Sequence, residues 1–406
     1  MSLLDGEQVP MDNLNSIMND EQKKQQKQER INTQHPITRI ERVLHPVGQG
    51  AFYSESFYEA NGHKCRTVVY DCGSTPKTYI EEEIDSFFSN GDSVDILFIS
   101  HFDNDHISGL EKLKKTCTID TVVMPLLNSI QKIYMLCNGV NKTLITNPES
   151  FFANSRVVFV QPTNLDDPGA QAENRDVKYA ELDESINNGD RIIFEQYWVY
   201  IPCNYDYAKR HSDLIASLRN LDEFRKVDFE NKAQIDDIVK TADKALLGRI
   251  NKIFKDMMPD GANRISMMLY SGPSQSTKGI FAQCELNLFK DSAILNKLYV
   301  GTAALYLGDT DLNQSDILEQ LSNDIGQLKE NIVILQLPHH GSKKNFNDGL
   351  LSFGDRDSKK IFFSSFGTNN RYGHPSNSVI CKVIASGQKI AMVTEMKNST
   401  IIQSIF

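Results

Sequence analysis

Residues 99–106 read Ile99-Ser100-His101-Phe102-Asp103-Asn104-Asp105-His106 and follow the run Ser93-Val94-Asp95-Ile96-Leu97-Phe98. The run is nearly continuously apolar and reads as a strand buried on both faces. Where it ends, four metal-capable side chains, His101, Asp103, Asp105 and His106, fall within six residues. Imidazole and carboxylate are the groups that hold zinc, manganese or iron. Collecting them in one loop fixes their directions at little loop-closure entropy. The spacing lets His101 and Asp103 face one metal while Asp105 and His106 face a second. A lone HxD would say little, but HxDxDH between a strand and the helix opened by DHISGLEKLKK is specific.

Other apolar runs end in the same kind of residue. ALYLGDTD delivers Asp309, IVILQLPHHGS delivers His339 and His340, and TVVYDCG delivers Asp71. KIFFSSFGTNNRYGHPS delivers Asn369, Asn370, Arg371, Tyr372 and His374. Sites in layered α/β folds collect at the carboxyl ends of strands. Five strands each carrying polar groups at that end point to one shared site.

Around these motifs, strand patterns over ERVLHPV, AFYSESFY, CRTVVYDCG, TIDTVVMP, SRVVFVQP, RIIFEQYWVYIP and RISMMLYSG interleave with helical patterns near 77–89, 311–327 and 376–386. Interleaving of this kind predicts an α/β or α+β fold rich in sheet. Residues 1–37 are polar and lack an apolar face, so a separate N-terminal arm is expected before a domain spanning 38–406. Residues 206–260 show no strand signal. Apolar residues recur from Ile235 through Ile238, Val239, Ala242, Leu246, Ile250, Ile253, Phe254 and Met257, which predicts one long amphipathic helix. Leu214, Leu218 and Leu221 mark a shorter helix before it. The segment is expected as a helical insert: a pair packed on the sheet, a lid or a partner surface.

Composition narrows the class. With 43 Lys+Arg against 53 Asp+Glu the formal net charge is −10, which disfavours a general nucleic-acid coat. It leaves room for an enzyme that meets phosphates through metals. No apolar run reaches about 18 residues, so no membrane association is expected. The opening MSLLDGEQVPMDNLNS has neither a basic nor an apolar leader region. The seven cysteines are scattered without CxxC spacing, arguing against a disulfide framework or zinc knuckle. A reducing, cytoplasmic location is the expectation.

HxDxDH, then GD, then HHGS, then NNRYGHPS, in this order, resembles the metallo-β-lactamase superfamily. More narrowly the chain resembles the hydrolase domain of the bacterial competence protein ComEC and its soluble relatives. VGQG at 47–50, YDCGS at 70–74 and NRIS at 263–266 fit that branch. The resemblance implies an αββα sandwich with a helical insert and a dinuclear site on its edge. His101, Asp103, Asp105, His106, Asp309 and one of His339 and His340 would be the ligands, with Asp309 bridging. His340, beside Gly341, is the favoured member of the pair. Asp71 would orient a ligand histidine from behind. Two departures stand out. The superfamily's common HxHxDH has histidine where this chain has Asp103, and between 150 and 309 the only histidine is His211, in the insert. ComEC-like members share both departures. The implied cofactors are two divalent ions, manganese, zinc or magnesium; an oxygen-rich pair suits manganese or magnesium better than two zincs.

Two such ions would clamp a phosphodiester. Asp105 would accept a proton from the attacking water, and His374 would protonate the leaving oxygen, bind phosphate or merely build its loop. Lys343, Lys344, Asn370 and Arg371 would hold flanking phosphates; the blander alternatives are a solvated lysine pair and turn residues. The expected function is a metal-dependent phosphodiester hydrolase, with DNA the leading substrate because ComEC-like domains are associated with nuclease action. A small-nucleotide phosphodiesterase, or another ester hydrolase of this fold, is one alternative. A scaffold is the other, binding a protein partner or a second copy through the insert or the N-terminal arm.

Overall fold

The structure is a computed structural model that describes residues 36–166, 174–257, 266–275, 283–287, 297–314, 316–354 and 359–406. The expected arm over 1–37 lies outside these residues except for Pro36 and Ile37, and Ile37 already opens the first strand, Ile37–Leu44. Of the NRIS motif only Ser266 is described.

Two large sheets dominate the described residues. The ten-stranded sheet runs, edge to edge, Lys297–Val300, Gln283–Asn287, Ile401–Ile405, Ile37–Leu44, Gln49–Glu59, Lys64–Thr75, Asp92–Phe98, Cys117–Pro125, Arg156–Gln161 and Ser185–Asn187. The eight-stranded sheet runs Lys389–Val393, Ile361–Ser365, Ile332–Gln336, Ala303–Tyr306, Met268–Pro273, Trp198–Cys203, Arg191–Glu195 and Asp176–Lys178. In the first sheet Lys64–Thr75, Asp92–Phe98, Cys117–Pro125 and Arg156–Gln161 are parallel neighbours. In the second, Ala303–Tyr306, Ile332–Gln336, Ile361–Ser365 and Lys389–Val393 are parallel neighbours too. Parallel strands end on one side, so each sheet gathers its post-strand loops along one edge.

The strand Asp92–Phe98 shows why its apolar run is continuous. Ile96 and Phe98 enter a core cluster that also takes in Tyr200, Leu269, Tyr306 and Phe363 from the other sheet. Val94, Leu97 and Ile99 enter a second cluster shared with Ile80 and Ile84 of the helix Lys77–Phe87 and Ile130 and Ile133 of the helix Ser129–Cys137. A third cluster joins Leu305 and Leu335 of the eight-stranded sheet to Ile317 and Leu321 of the helix Ile317–Ile325 and Val379 and Val383 of the helix Asn377–Ala385.

One polar node lies inside this apolar interior. Arg42 Nε donates to Glu55 Oε1 at 2.7 Å, and its guanidinium also donates to the Thr302 and Ser271 carbonyls at 2.9 and 3.2 Å and to Gln403. Glu55 accepts further bonds from Tyr200 Oη and Ser271 Oγ, both at 2.7 Å. Arg42, Glu55 and Gln403 belong to the ten-stranded sheet, and Tyr200 and Ser271 to the other. The pair is therefore a pin between sheets. A buried ion pair gives little net stability, but each charge left alone is costly.

Two expectations about elements need correction. RIIFEQYWVYIP is not one strand but a hairpin, Arg191–Glu195 antiparallel to Trp198–Cys203. The chain reverses at Gln196–Tyr197, leaving Tyr197 exposed while Trp198 is buried. Likewise the long helix expected from Ile235 is two helices, Lys232–Thr241 and Lys244–Met257. Ala242 is extended (φ −53°, ψ 127°), and the Asp243 side chain accepts from Leu246 N at 2.8 Å, restarting the helix. The apolar period survives the break: Ile235, Val239, Leu246, Ile250 and Phe254 are all buried in the cluster outside the ten-stranded sheet.

The Arg42–Glu55 pin yields a stability prediction. Glu55→Ala strands a buried guanidinium and should lower unfolding free energy by about 3–5 kcal/mol, read as a lower urea midpoint; an unchanged midpoint would show that the pin is dispensable.

Candidate metal centre

The site is built from Asp71 outward. This carboxylate is fully buried, and its backbone lies in the left-handed region at φ 56°. Its Oδ1 accepts from Ser100 N at 2.7 Å, and its Oδ2 accepts from Ser100 Oγ at 2.6 Å and lies 2.8 Å from His106 Nδ1. One side chain thus grips both ends of the 100–106 loop. Two glycines let the loop press on the neighbouring strands. A Cβ on Gly73 would stand 2.5 Å from the His106 backbone, and one on Gly50 would stand 2.7 Å from the Asp105 carbonyl. Such approaches exclude any side chain, which gives the VGQG and YDCGS motifs a steric reason. Within the loop, Asp103 caps the short helix Asn104–Ile107, with His106 N donating to the Asp103 carbonyl at 2.8 Å.

The opposite wall comes from the eight-stranded sheet. Gln336 Oε1 accepts from Leu307 N and Gly308 N, and Asp309 N donates to Ser266 Oγ at 2.9 Å. His339 and His340 both take left-handed backbone, at φ 47° and 55°, a strained conformation that tends to mark functional turns. His340 Nδ1 lies 2.7 Å from the Ser365 carbonyl, which directs Nε2 toward Asp105 Oδ2 at 3.1 Å. His339 Nδ1 lies 3.1 Å from Asn345 Oδ1.

These walls meet at Asp309. Its Oδ1 is 3.3 Å from His106 Nε2 and 4.0 Å from His340 Nε2, and its Oδ2 is 3.7 Å from His101 Nε2 and 3.5 Å from His339 Nε2. Among the described residues, two overlapping groups could hold a metal ion: His101, His106 and Asp309, and Asp105, His106 and His340. The second group keeps the expected pairing of Asp105 with His106, while the first joins His101 to His106 and Asp309 rather than to Asp103. His106 belongs to both groups because Asp71 turns its ring toward Asp309. Asp103 is in neither group; its Oδ2 lies 3.8 Å from His101 Nε2.

The donor set fits a cation. His101 Nε2, His106 Nε2 and Asp309 Oδ1 are buried and lack a hydrogen-bond partner. Buried polar atoms are seldom left so, because each costs desolvation. Ligand atoms about 2.0–2.3 Å from a metal stand roughly 3–4 Å from one another, the separations seen around Asp309. Electrostatics agree. Burial opposes the charge on Asp309, yet His339, His106 and His101 hold its carboxyl well below the usual range. Burial likewise opposes charge on Asp105, and the bond to His340 with the nearby His106 outweighs it, lowering that carboxyl. His106 is raised despite burial because Asp309 and Asp71 flank it, while burial and His106 lower His101.

The remaining candidates ring this cluster. His374 is half-buried, its ring centroid 5.4 Å from that of His339, and its Nδ1 is a further buried atom without a partner. Both ends of the Asn370 amide are engaged in the loop: Nδ2 donates to the Gly367 and His374 carbonyls, and Oδ1 accepts from Tyr372 N and His374 N. Lys343, Lys344, Arg371 and Tyr372 are exposed. Ser100, Ser266, Gln336 and Asn345 support the candidate ligands without being expected site residues; Ser100 stands just before HxDxDH, Ser266 lies in NRIS and Gln336 in IVILQLPHHGS, whereas Asn345 lies in none of these stretches.

Residues 60–129 match the family model of the Metallo-beta-lactamase superfamily. The matched segment carries Asp71 and the whole 99–106 loop, and the match supports that superfamily for this chain. The superfamily includes hydrolases and is usually metal-dependent, typically with divalent ions. No curated protein matches the chain significantly. No helix among the described residues is long and apolar enough to cross a membrane.

Two predictions follow from the geometry. Gly73→Ala should push the His106 backbone out of place and weaken metal binding about 10–100-fold, measured by metal content after equilibrium dialysis. Gly248→Ala, where an added Cβ meets nothing within 4 Å, is the control. Burial first, and then His339 and His340, lower His374 from its ordinary 6.5 to about 4. The unfolded chain therefore takes up a proton that the folded one refuses, so this residue's contribution to stability falls as pH drops from about 6.5 to about 4. An imidazole NMR titration should place its midpoint near the lower value.

Proposed function

We propose that the protein is a metal-dependent phosphodiester hydrolase of the ComEC-like branch. In this reading it is an αββα sandwich spanning 38–406, carrying 206–260 as a helical insert, and it acts in the cytoplasm on nucleic acid, single-stranded DNA foremost. The observation that carries the reading is the set of three buried, partnerless ligand atoms, His101 Nε2, His106 Nε2 and Asp309 Oδ1, facing one another. A scaffold protein would have no reason to maintain them.

His101 and Asp309 would hold one ion, and Asp105 and His340, with Asp309, a second; His106, its Nδ1 held by Asp71, has only Nε2 to offer and would complete one of the two sets. Asp103 and His339 complete the rim. Divalent ions bound there supply Lewis-acid activation of water and of a phosphoryl oxygen. The protein's own groups do the rest. Asp71 fixes the His106 ring through its Nδ1 side. Asp105, whose carboxyl is ionised, accepts a proton from the attacking water. His374 is neutral near pH 7, which suits it to hydrogen-bond a substrate oxygen at Nδ1 rather than to act as a stocked acid. Lys343, Lys344 and Arg371 sit on loops beside the ligands, where exposed cations meet flanking phosphates. Asn370 supports the loop that carries Arg371 and His374.

A second reading, a small-nucleotide phosphodiesterase, is favoured by a cavity of about 390 Å³ beneath the 206–260 helices.

Asp105→Ala tests the proposal. Hydrolysis of linear, circular and single-stranded DNA, assayed with manganese, magnesium and zinc, should fall about 10²–10⁴-fold, with an unchanged circular dichroism spectrum. Wild-type turnover by the purified variant, or wild-type protein that takes up none of these metals, would refute it. Preference for bis(p-nitrophenyl) phosphate over every DNA would favour the second reading.

A further inference from the structure

The 390 Å³ cavity is not part of the His/Asp cluster, but it shares a wall with it. Phe102, between His101 and Asp103 in the chain, is 1% exposed and lines the cavity. The loop therefore sends its imidazoles and carboxylates to one side and this ring to the other. Met124, Leu144 and Ile145 line the cavity as well, together with Ile215 and Phe229 of the inserted segment. Protein interiors pack near crystal density and leave few voids larger than a water molecule. Small-molecule pockets run about 300–1,000 Å³ and are mostly apolar with a few placed polar groups. By size and lining this is a pocket, not a packing fault.

Its polar groups define the ligand. Asn128 and His211 both line it, with Asn128 Nδ2 3.2 Å from His211 Nδ1 and 3.1 Å from Asp206 Oδ2. His211 Nε2 lies 3.2 Å from Asp206 Oδ1. This hydrogen-bonding edge is joined by Ser129 and Thr146 and by charged side chains, and the remaining lining is apolar. The charges do not suit an anion: the exposed carboxylates Glu149 and Glu230 accompany Lys232, and Lys132 lies 3.4 Å from Asp236. A phosphate would meet two acids. The Phe102 and Phe229 rings favour a flat ring system.

We propose that this cavity binds a neutral aromatic ring bearing a hydrogen-bonding edge, of nucleobase or nucleoside size, against the back of the metal-binding loop. The ring comes either from the substrate itself or from a free aromatic effector. Its link to turnover rests on the hydrolase reading above; its existence as a binding site does not. A ligand pressing on Phe102 acts on the backbone that carries His101 and Asp103, so occupancy is felt at the cluster.

The test uses the full chain and the neutral fluorophore N-phenyl-1-naphthylamine. Saturable binding at one site per chain is expected, with adenosine displacing the probe and inorganic phosphate failing to displace it. Leu144→Trp and Ile215→Trp, which fill the cavity from two different helices, should each weaken binding at least tenfold. Asp309→Ala, which disables the cluster, should bind the probe as wild type does, so a failed hydrolase reading and a failed pocket are told apart. Non-saturable binding, displacement by phosphate but not adenosine, or undiminished binding in either folded Trp variant would overturn the proposal. With bis(p-nitrophenyl) phosphate as substrate, a raised KM at unchanged kcat on adding the probe assigns the pocket to the substrate's own ring. An altered kcat assigns it to a free effector, and no change in either would overturn the coupling through Phe102.

Discussion

The buried carboxylate of Asp71 is the constraint on which the centre depends. It accepts from the Ser100 main chain and hydroxyl and lies 2.8 Å from His106 Nδ1. A carboxylate with no access to water must satisfy its lone pairs from the protein. Here the partners are the two ends of one loop, so satisfying Asp71 and closing the loop are the same event. The His106 ring then has one orientation, Nδ1 toward Asp71 and Nε2 toward Asp309. Such partners behind a ligand fix its tautomer and direction and are worth nearly as much as the ligand itself.

The other half of the centre arrives on a separate sheet, and its position is set at a distance. Asp309, His339 and His340 follow strands of the eight-stranded sheet, while His101, Asp105 and His106 follow a strand of the ten-stranded one. Apolar packing between sheets is non-directional and tolerates sliding. The Arg42–Glu55 node is directional: its bonds to Tyr200 and Ser271 close only in one register of the sheets. Aromatic contacts reinforce it, with Tyr306 stacked against both Tyr53 and Tyr70 at centroid distances of 5.3 and 4.8 Å. A node deep between the sheets thus bears on whether Asp309 meets His106 at the edge.

The segment 206–260 is tied to the neighbouring helices by apolar packing and by polar contacts such as Asn128 with Asp206 and Lys132 with Asp236. Its apolar stripe lies in the same cluster as Val94, Leu97 and Phe102, so it rests on the outer side of the strand that delivers the loop. The cavity between them is what remains where helices of the insert and the helix Ser129–Cys137 fail to close on that strand's end. The insert contributes His211 to this chamber and no ligand to the described metal groups.

Much of the centre was legible in the sequence. A strand followed at once by HxDxDH, GD or HHGS fixes both ligand type and the strand end from which the ligands project, because these are local properties of the chain. Position after a strand marks Asp71, His101, Asp105, His106, Asp309 and the His339–His340 pair as candidates in that way, and leaves the choice within the pair open. The grouping was not legible: sequence spacing joined His101 to Asp103, whereas tertiary structure joined it to His106 and Asp309. Ser266, Gln336 and Asn345 act as supports only because distant strands bring them there. The hairpin at Gln196–Tyr197 and the break at Ala242–Asp243 escaped a periodicity that runs through both. The sequence by itself determined the kinds of ligand, the loops that carry them and the apolar faces that must be buried, all of which follow from residues near one another in the chain. Only the tertiary structure decided which candidate ligands come together, what holds them and where a cavity opens behind them, because those depend on how two sheets register across a common core.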